Sequence, residues 1–257
     1  MAKGLLIIFL LLSSIFAGPD NNIEKVDFFE IDVQSHIYIV KGAELQKLSQ
    51  KNELLYTYSN LIYGDISTLD VNKSTNIFVY YKDFNKIIFL DNTLSQKYSP
   101  IDIPKLGYPE ANLACRSYNN SFWIYDPINK ELLRFNSSLQ NTDRTGNLYS
   151  VTNVNIDPIQ IIERNNSLYL RDNANGIFVF DRYGGFLRQM PFTNIDDFYI
   201  DDNNWLMLKN DTNFVFNPIS LQVDTVALPN QNIKQIRVYD NKMYYLTQSG
   251  DFEMIKI

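Results

Sequence analysis

Apolar residues in this chain come in runs of four or five rather than in alternation. Ile77–Tyr81, Phe122–Tyr125, Ile177–Phe180 and Trp205–Leu208 are continuously apolar, and Asn, Asp, Ser or Gly bounds each run. A strand with one wet face alternates apolar and polar residues, whereas a strand apolar throughout belongs to a sheet packed on both faces. No segment of ten or more residues holds a helical period. The pattern predicts an all-β chain of short strands in stacked sheets.

The fullest unit is 165–189, NNSLYLRDNANGIFVFDRYGGFLRQ. It reads as strand Leu168–Arg171, turn Asp172–Gly176, strand Ile177–Phe180, turn Asp181–Gly185 and a third strand opening at Phe186. Asn175-Gly176 and Tyr183-Gly184-Gly185 supply residues that tolerate positive φ, which tight antiparallel turns require. The Asx-Asn-x turn followed by an apolar strand recurs before Phe122, Trp205 and Met243, and in weaker form before Ile37 and Ile77. With Leu168 these six strand starts are spaced 40, 45, 46, 37 and 38 residues apart. A second landmark keeps the same phase. Apolar-rich segments end on an Asx residue at Leu90-Asp91, Phe135-Asn136, Phe180-Asp181 and Phe216-Asn217.

A period near 40 residues holding about four short strands is the signature of β-propeller blades. The expectation is one six-bladed propeller of four-stranded antiparallel blades over 19–257. Seven blades is the alternative if 137–158 holds further strands. The last copy stops after its third strand, Phe252–Ile257, and residues Pro19–Glu24 are expected to supply the fourth and close the ring. Ile177–Leu187, IFVFDRYGGFL, resembles the repeat core of NHL-type and related six-bladed propellers. That resemblance implies a fold, and by analogy with bacterial propellers of this kind an accessory subunit of an outer-membrane assembly or secretion machine.

The N-terminus changes the picture of location. Lys3 is the only charge before Asp20, Leu5–Leu12 is unbroken apolar, and Ser13, Ser14, Ala17 and Gly18 follow. This is a secretory signal peptide over 1–18, cleaved near Ala17 or Gly18. The run is shorter than the roughly 20 residues a transmembrane helix needs. The exported chain is expected in the periplasm or outside the cell, with no membrane span after cleavage. No cysteine lies directly after the leader, which argues against a lipid anchor there.

The charge of -6 and the lack of any Lys/Arg-rich run argue against nucleic acid as a partner. Cys115 is the only cysteine and His36 the only histidine, so neither a disulfide nor a multi-histidine metal centre is available, and no G-x-S-x-G elbow accompanies a serine. Cys115 reads as a buried inert thiol and His36 as a solvated turn residue. Arg116, Arg164 and Arg237 precede apolar strands in three blades and are expected to line the channel as a cationic rim for carboxylate or sugar groups. Asp197 and Asp201 are the candidate Ca²⁺ ligands, oxygen donors suiting a hard ion, although Asx residues here chiefly mould turns. Five N-x-S/T sequons start at Asn72, Asn119, Asn136, Asn165 and Asn210, and turn chemistry accounts for most of them. No catalytic residue is assigned and no cofactor is required. The favoured expectation is a non-enzymatic module for a protein partner. A carbohydrate or small-ligand binder is the alternative, and a Ca²⁺-dependent hydrolase or lyase the third.

Overall fold

A computed structural model describes residues 25–201, 204–226, 228 and 232–256. The chain forms six antiparallel sheets in sequence order. Blade one holds β1 (Phe28–Ile31), β2 (Ile37–Lys41), β3 (Glu44–Leu48) and β4 (Leu54–Ser59). Blade two holds β5 (Thr68–Asp70), β6 (Ile77–Tyr81), β7 (Lys86–Leu90) and β8 (Ile101–Asp102). Blade three holds β9 (Leu113–Arg116), β10 (Phe122–Asp126), β11 (Glu131–Phe135) and β12 (Asn141–Arg144). Blade four holds β13 (Gln160–Arg164), β14 (Ser167–Asp172), β15 (Gly176–Asp181) and β16 (Phe186–Met190). Blade five holds β17 (Asp197–Asp201), β18 (Asn204–Lys209), β19 (Thr212–Phe216) and β20 (Val223–Val226). Blade six holds β21 (Ile233–Tyr239), β22 (Lys242–Thr247) and β23 (Phe252–Lys256).

The protein is therefore a six-bladed β-propeller. All six predicted strand starts fall in the second strands, β2, β6, β10, β14, β18 and β22. Segment 137–158 holds β12 of blade three and one short helix, α1 (Leu148–Thr152), in the link to blade four, so the seven-blade alternative falls away. The expected leader and the segment Pro19–Glu24 lie outside the described residues, and among those residues blade six has three strands.

The apolar runs work as their pattern requires. The core consists of six clusters, each built from the facing sheets of two neighbouring blades. Trp123 packs between blades three and four, and Trp205 between blades four and five, where Tyr169 meets it edge-on at 5.3 Å. The Asx landmark ends the third strands. Asp91, Asn136, Asp181 and Asn217 each accept two backbone N–H bonds from the turn that follows.

Ring closure joins residues more than 200 positions apart. Gln235 accepts from the Phe29 N–H at 2.9 Å and donates to the Phe29 carbonyl at 2.7 Å, so its amide stands in for a neighbouring strand. Lys234 donates to the Asp27 carbonyl, and Tyr239 to that of Val33. Val26, Phe29, Ile31 and Ile37 pack there on Tyr244 and Leu246. Replacing Gln235 with Ala strands a buried donor and acceptor and is expected to cost about 2–3 kcal/mol. Urea unfolding checks this against Gln140→Ala, an exposed control expected to stay within about 0.5 kcal/mol of the parent.

Candidate functional site: the central channel

The innermost strands β1, β5, β9, β13, β17 and β21 surround the axis. The residues paired opposite Tyr38, Phe78, Trp123, Tyr169, Leu206 and Tyr244 form one level of the channel wall: Glu30, Asp70, Cys115, Ile162, Tyr199 and Arg237. Arg237 grips Glu30 with two nitrogens, Nη2 at 2.7 Å and Nε at 3.1 Å. Its Nη1 donates to Asp197 at 2.7 Å, and its guanidinium lies 4.4 Å from the centre of the Tyr199 ring. Arg164 crosses the channel from blade four to blade two and donates to Asp70 at 2.8 Å. Arg116 approaches the other Asp70 oxygen at 4.0 Å.

The electrostatics follow from burial and pairing. Burial pushes the Asp70 carboxyl up, but Arg164 and Arg116 outweigh it and hold the group below its ordinary value. Burial disfavours charge on Arg237 and Arg164, and their carboxylate partners more than restore it. At Glu30 burial prevails over Arg237 and the pKa rises. Tyr199 is pushed up to about 12, chiefly by burial and then by Glu30. The Cys115 thiol is raised by burial and by Glu163 and Asp70, so it stays protonated as an inert core group.

The structure thus brings Arg116, Arg164 and Arg237 together at the channel, as their positions before the second strands imply. It also places an acid beside each, so the expected cationic rim is a charge-compensated lattice. Asp197 accepts from both Arg237 and the Ile236 N–H. Asp197 and Asp201 stand at opposite ends of β17, four residues apart, or about 13 Å along an extended strand. They do not converge on one ion. Among the described residues no three His, Cys, Asp or Glu side chains form a metal-sized group. His36 is not simply solvated either: its Nδ1 lies 3.0 Å from the buried Asp32, which also accepts from the Tyr38 hydroxyl.

Several partners escaped the sequence reading. Glu30, Asp70 and Tyr199 lie six or seven residues before the strand starts, so a search at that fixed offset finds them. Glu163 accepts from Ser117, Trp123 and the Tyr118 N–H, and Arg134 donates to Ser117, Ser121 and Asp143. That network locks blade three to blade four.

A cavity of about 440 Å³ fills the channel above this lattice. It is lined from Lys82, Asn112, Ile159 and Lys234 down to Asp70, Arg164 and Arg237. Lys82 sits in a turn between second and third strands, and Asn112, Ile159 and Lys234 at the entries to inner strands, so these mark one face of the propeller. The same face exposes large apolar side chains across blades one to three. Leu61 and Ile62 are 84% and 75% exposed, and Phe84, Ile128, Tyr149, Val151 and Ile159 are also exposed. Gly64, with φ at +73°, ends the Leu61–Tyr63 turn and lies beside Asp83 and Phe84.

No protein-family model matches the sequence, and no curated protein does either. Solved structures match its shape. The WD40 domain of Pan2 from Neurospora crassa has a TM-score of 0.62 at 7% identity, over 93% of this chain and 78% of that one. Virginiamycin B lyase from Staphylococcus aureus has a TM-score of 0.57 at 13% identity, over 92% of this chain and 86% of that one. PorZ, an essential surface component of the type-IX secretion system of Porphyromonas gingivalis, has a TM-score of 0.53 at 10% identity, over 91% of this chain and 33% of that one. At such identities the likeness is one of fold.

Asp70→Asn leaves two arginines facing a neutral amide and is expected to lower stability by about 3 kcal/mol at pH 6. Because the folded Asp70 pKa lies below its ordinary value of 3.8, the stabilising contribution is complete above 3.8. It disappears as pH falls through the lower folded value. Urea unfolding of parent and variant at pH 6 and pH 3 is expected to show the gap closing in acid.

Proposed function

We propose that the protein is a non-enzymatic interaction module of the periplasm or outer-membrane surface, an accessory subunit that holds a protein partner on the face where the channel cavity lies. The observation that carries this reading is the apolar sector of Leu61, Ile62, Phe84, Ile128, Tyr149 and Val151 on one face of three adjacent blades. Single exposed apolar residues are ordinary on soluble proteins, while several gathered on one face mark a candidate contact surface. The blades beneath it are packed on both sides, so the sector is a rigid platform with little ordering cost on binding. Export rests on the N-terminal apolar run. The same fold serves in PorZ as part of a bacterial secretion system.

The cavity supports a second reading, a small-ligand site of saccharide or polyol type. Its volume falls within the roughly 300–1,000 Å³ typical of ligand pockets. The pairing of Arg237 with Glu30 and of Arg164 with Asp70 favours a neutral guest over an anion.

The double variant Leu61→Glu, Ile62→Glu separates the two. Both side chains are exposed, so the fold should be kept, with a thermal midpoint within about 3 °C of the parent. In cross-linked native membranes the parent is expected to recover one stoichiometric protein, and the variant at least about tenfold less of it. Equal recovery by both, or no stable partner for the parent, ends the leading reading. A thermal shift with mono- and disaccharides that survives this variant favours the second.

A further inference from the structure

The fourth strand of a blade turns one edge of its backbone to the rim of the ring, and proteins keep such edges from pairing with other chains by making them short or charged. Most outer strands here obey that rule. β8 is two residues long and carries Asp102, β12 carries Asp143 and Arg144, β16 has Arg188 at its centre, and β20 carries Asp224. β4 does not obey it. Blade one has its full four strands, and at six residues, LLYTYS, β4 is the longest of the described outer strands. It carries no charge, and neither does any residue from Leu54 to Gly64. Leu54, Leu55 and Tyr56 are all exposed, whereas β16 and β20 each expose one large apolar residue, Leu187 and Val223, and β8 and β12 expose none.

The ladder with β3 fixes which backbone groups of β4 face outward. The Asn60 N–H bonds to the Ala43 carbonyl at 3.4 Å, and next along the same pairing Tyr58 stands opposite Leu45 and Tyr56 opposite Lys47. Hydrogen-bonded and non-bonded pairs alternate in an antiparallel ladder. Tyr58 and Tyr56 therefore bond inward to β3, while Thr57 and Ser59 turn their N–H and C=O groups to the rim. Tyr58 packs on the core between blades one and two, and Tyr56, two residues away, shares its face.

We propose that β4 pairs antiparallel with β4 of a second copy of this chain, joining two blades in one eight-stranded sheet about a two-fold axis at Thr57. In that register Thr57 meets Thr57 of the second copy, Tyr56 meets its Tyr58, and Leu55 meets its Ser59. Ring on ring and Thr on Thr are favourable pairs across strands. The choice of occupant follows from charge. A two-fold axis sets each residue on it against itself, so a charge there faces its like, as Arg188 would in the middle of β16. β4 brings no such repulsion and offers no charge by which a foreign strand would be selected. Isologous pairing also uses up the edge on both molecules, so assembly closes at a dimer. β4 lies on the rim rather than on the cavity face, and the pairing does not depend on the partner proposed for that face.

Sedimentation of the mature protein over the micromolar range tests the proposal, and the parent is expected to pass from monomer to dimer. Thr57→Lys and Thr57→Asp each set like charges face to face at the axis and are each expected to weaken the dimer at least about tenfold. Thr57 is exposed, so both variants should keep a thermal midpoint within about 3 °C of the parent. An equimolar mixture of the two is expected to dimerise at least about tenfold more tightly than either alone, a recovery that damage to the fold would not give. Thr225→Lys, on the exposed face of β20, should leave the dimer unchanged. The Thr57 and Ser59 amides are expected to exchange at least about tenfold more slowly in the parent dimer than in Thr57→Lys. A parent that stays monomeric overturns the proposal, whether those amides exchange fast, as on a free edge, or slowly, as on an edge covered by the chain itself. So does a dimer that Thr57→Lys leaves intact, a mixture that restores nothing, or a foreign chain found paired to β4.

Discussion

No blade of this propeller is stable alone. Its strands are apolar on both sides, so each sheet needs a neighbour on each side, and the six clusters of the core all lie between blades. Such a stack is satisfied only if its first and last members meet. Closure therefore falls on contacts of very high sequence separation: Gln235 with Phe29, Arg237 with Glu30 and Tyr239 with Val33. The loop entropy of joining them comes due before the last cluster is buried, which favours an all-or-none ring. The Gln235 amide suits this role because one side chain offers both the donor and the acceptor that the buried backbone of Phe29 in β1 requires.

The channel meets a related constraint with charge. Inner strands bring polar side chains to the axis, where water is limited and an unpaired ion is costly. Arg237 faces two carboxylates, Glu30 and Asp197, whereas Asp70 faces two arginines, Arg164 and Arg116. The two halves carry opposite excess charge, and Arg164 and Glu30 also act on each other. The arginines are consequently part of what holds blades two, three, four, five, six and one in register. A site that spends its cations on its own acids is poorly suited to capturing an anion. That shifts attention from the channel floor to the surfaces around it.

Much of the fold was legible because the repeat is written in local chemistry. Apolar runs marked the second strands, and the Asx landmark marked the turn after the third, through bonds within four residues of Asp91, Asn136, Asp181 and Asn217. The Asn-rich turns have an equally local cause. Asn119-Asn120, Asn165-Asn166 and Asp240-Asn241 each place two consecutive residues at positive φ, the requirement of tight hairpin turns, and Asn tolerates it without the entropy cost of Gly. Sequons at Asn119 and Asn165 are by-products of that geometry. The candidate site was less legible. Arg164 and its acid are 94 residues apart, and Arg237 and Glu30 are 207 apart. No local pattern announces which acid an arginine will meet. A fixed offset from the strand starts marks the acids Glu30 and Asp70 as well as the channel level, but which acid meets which arginine is set by the ring.

The two faces of the ring are not equivalent, and this bears on where specificity resides. On the face away from the cavity, inner strands turn into second strands through short turns, only two residues long at Asn165-Asn166 and Asp240-Asn241. Their backbone demands leave little freedom of side chain, and on that face the exposed apolar residues Leu139, Tyr183, Ile219 and Leu221 sit in the turns after the third strands. On the cavity face the blades are joined by longer segments, 60–67, 103–112 and 145–159, and these hold Leu61, Ile62, Tyr149, Val151 and Ile159 in the open. Residues free of turn geometry and of core packing can be apolar and exposed without a folding reason. Such a set, held in place by the rigid blades below, meets the physical requirement of a contact surface.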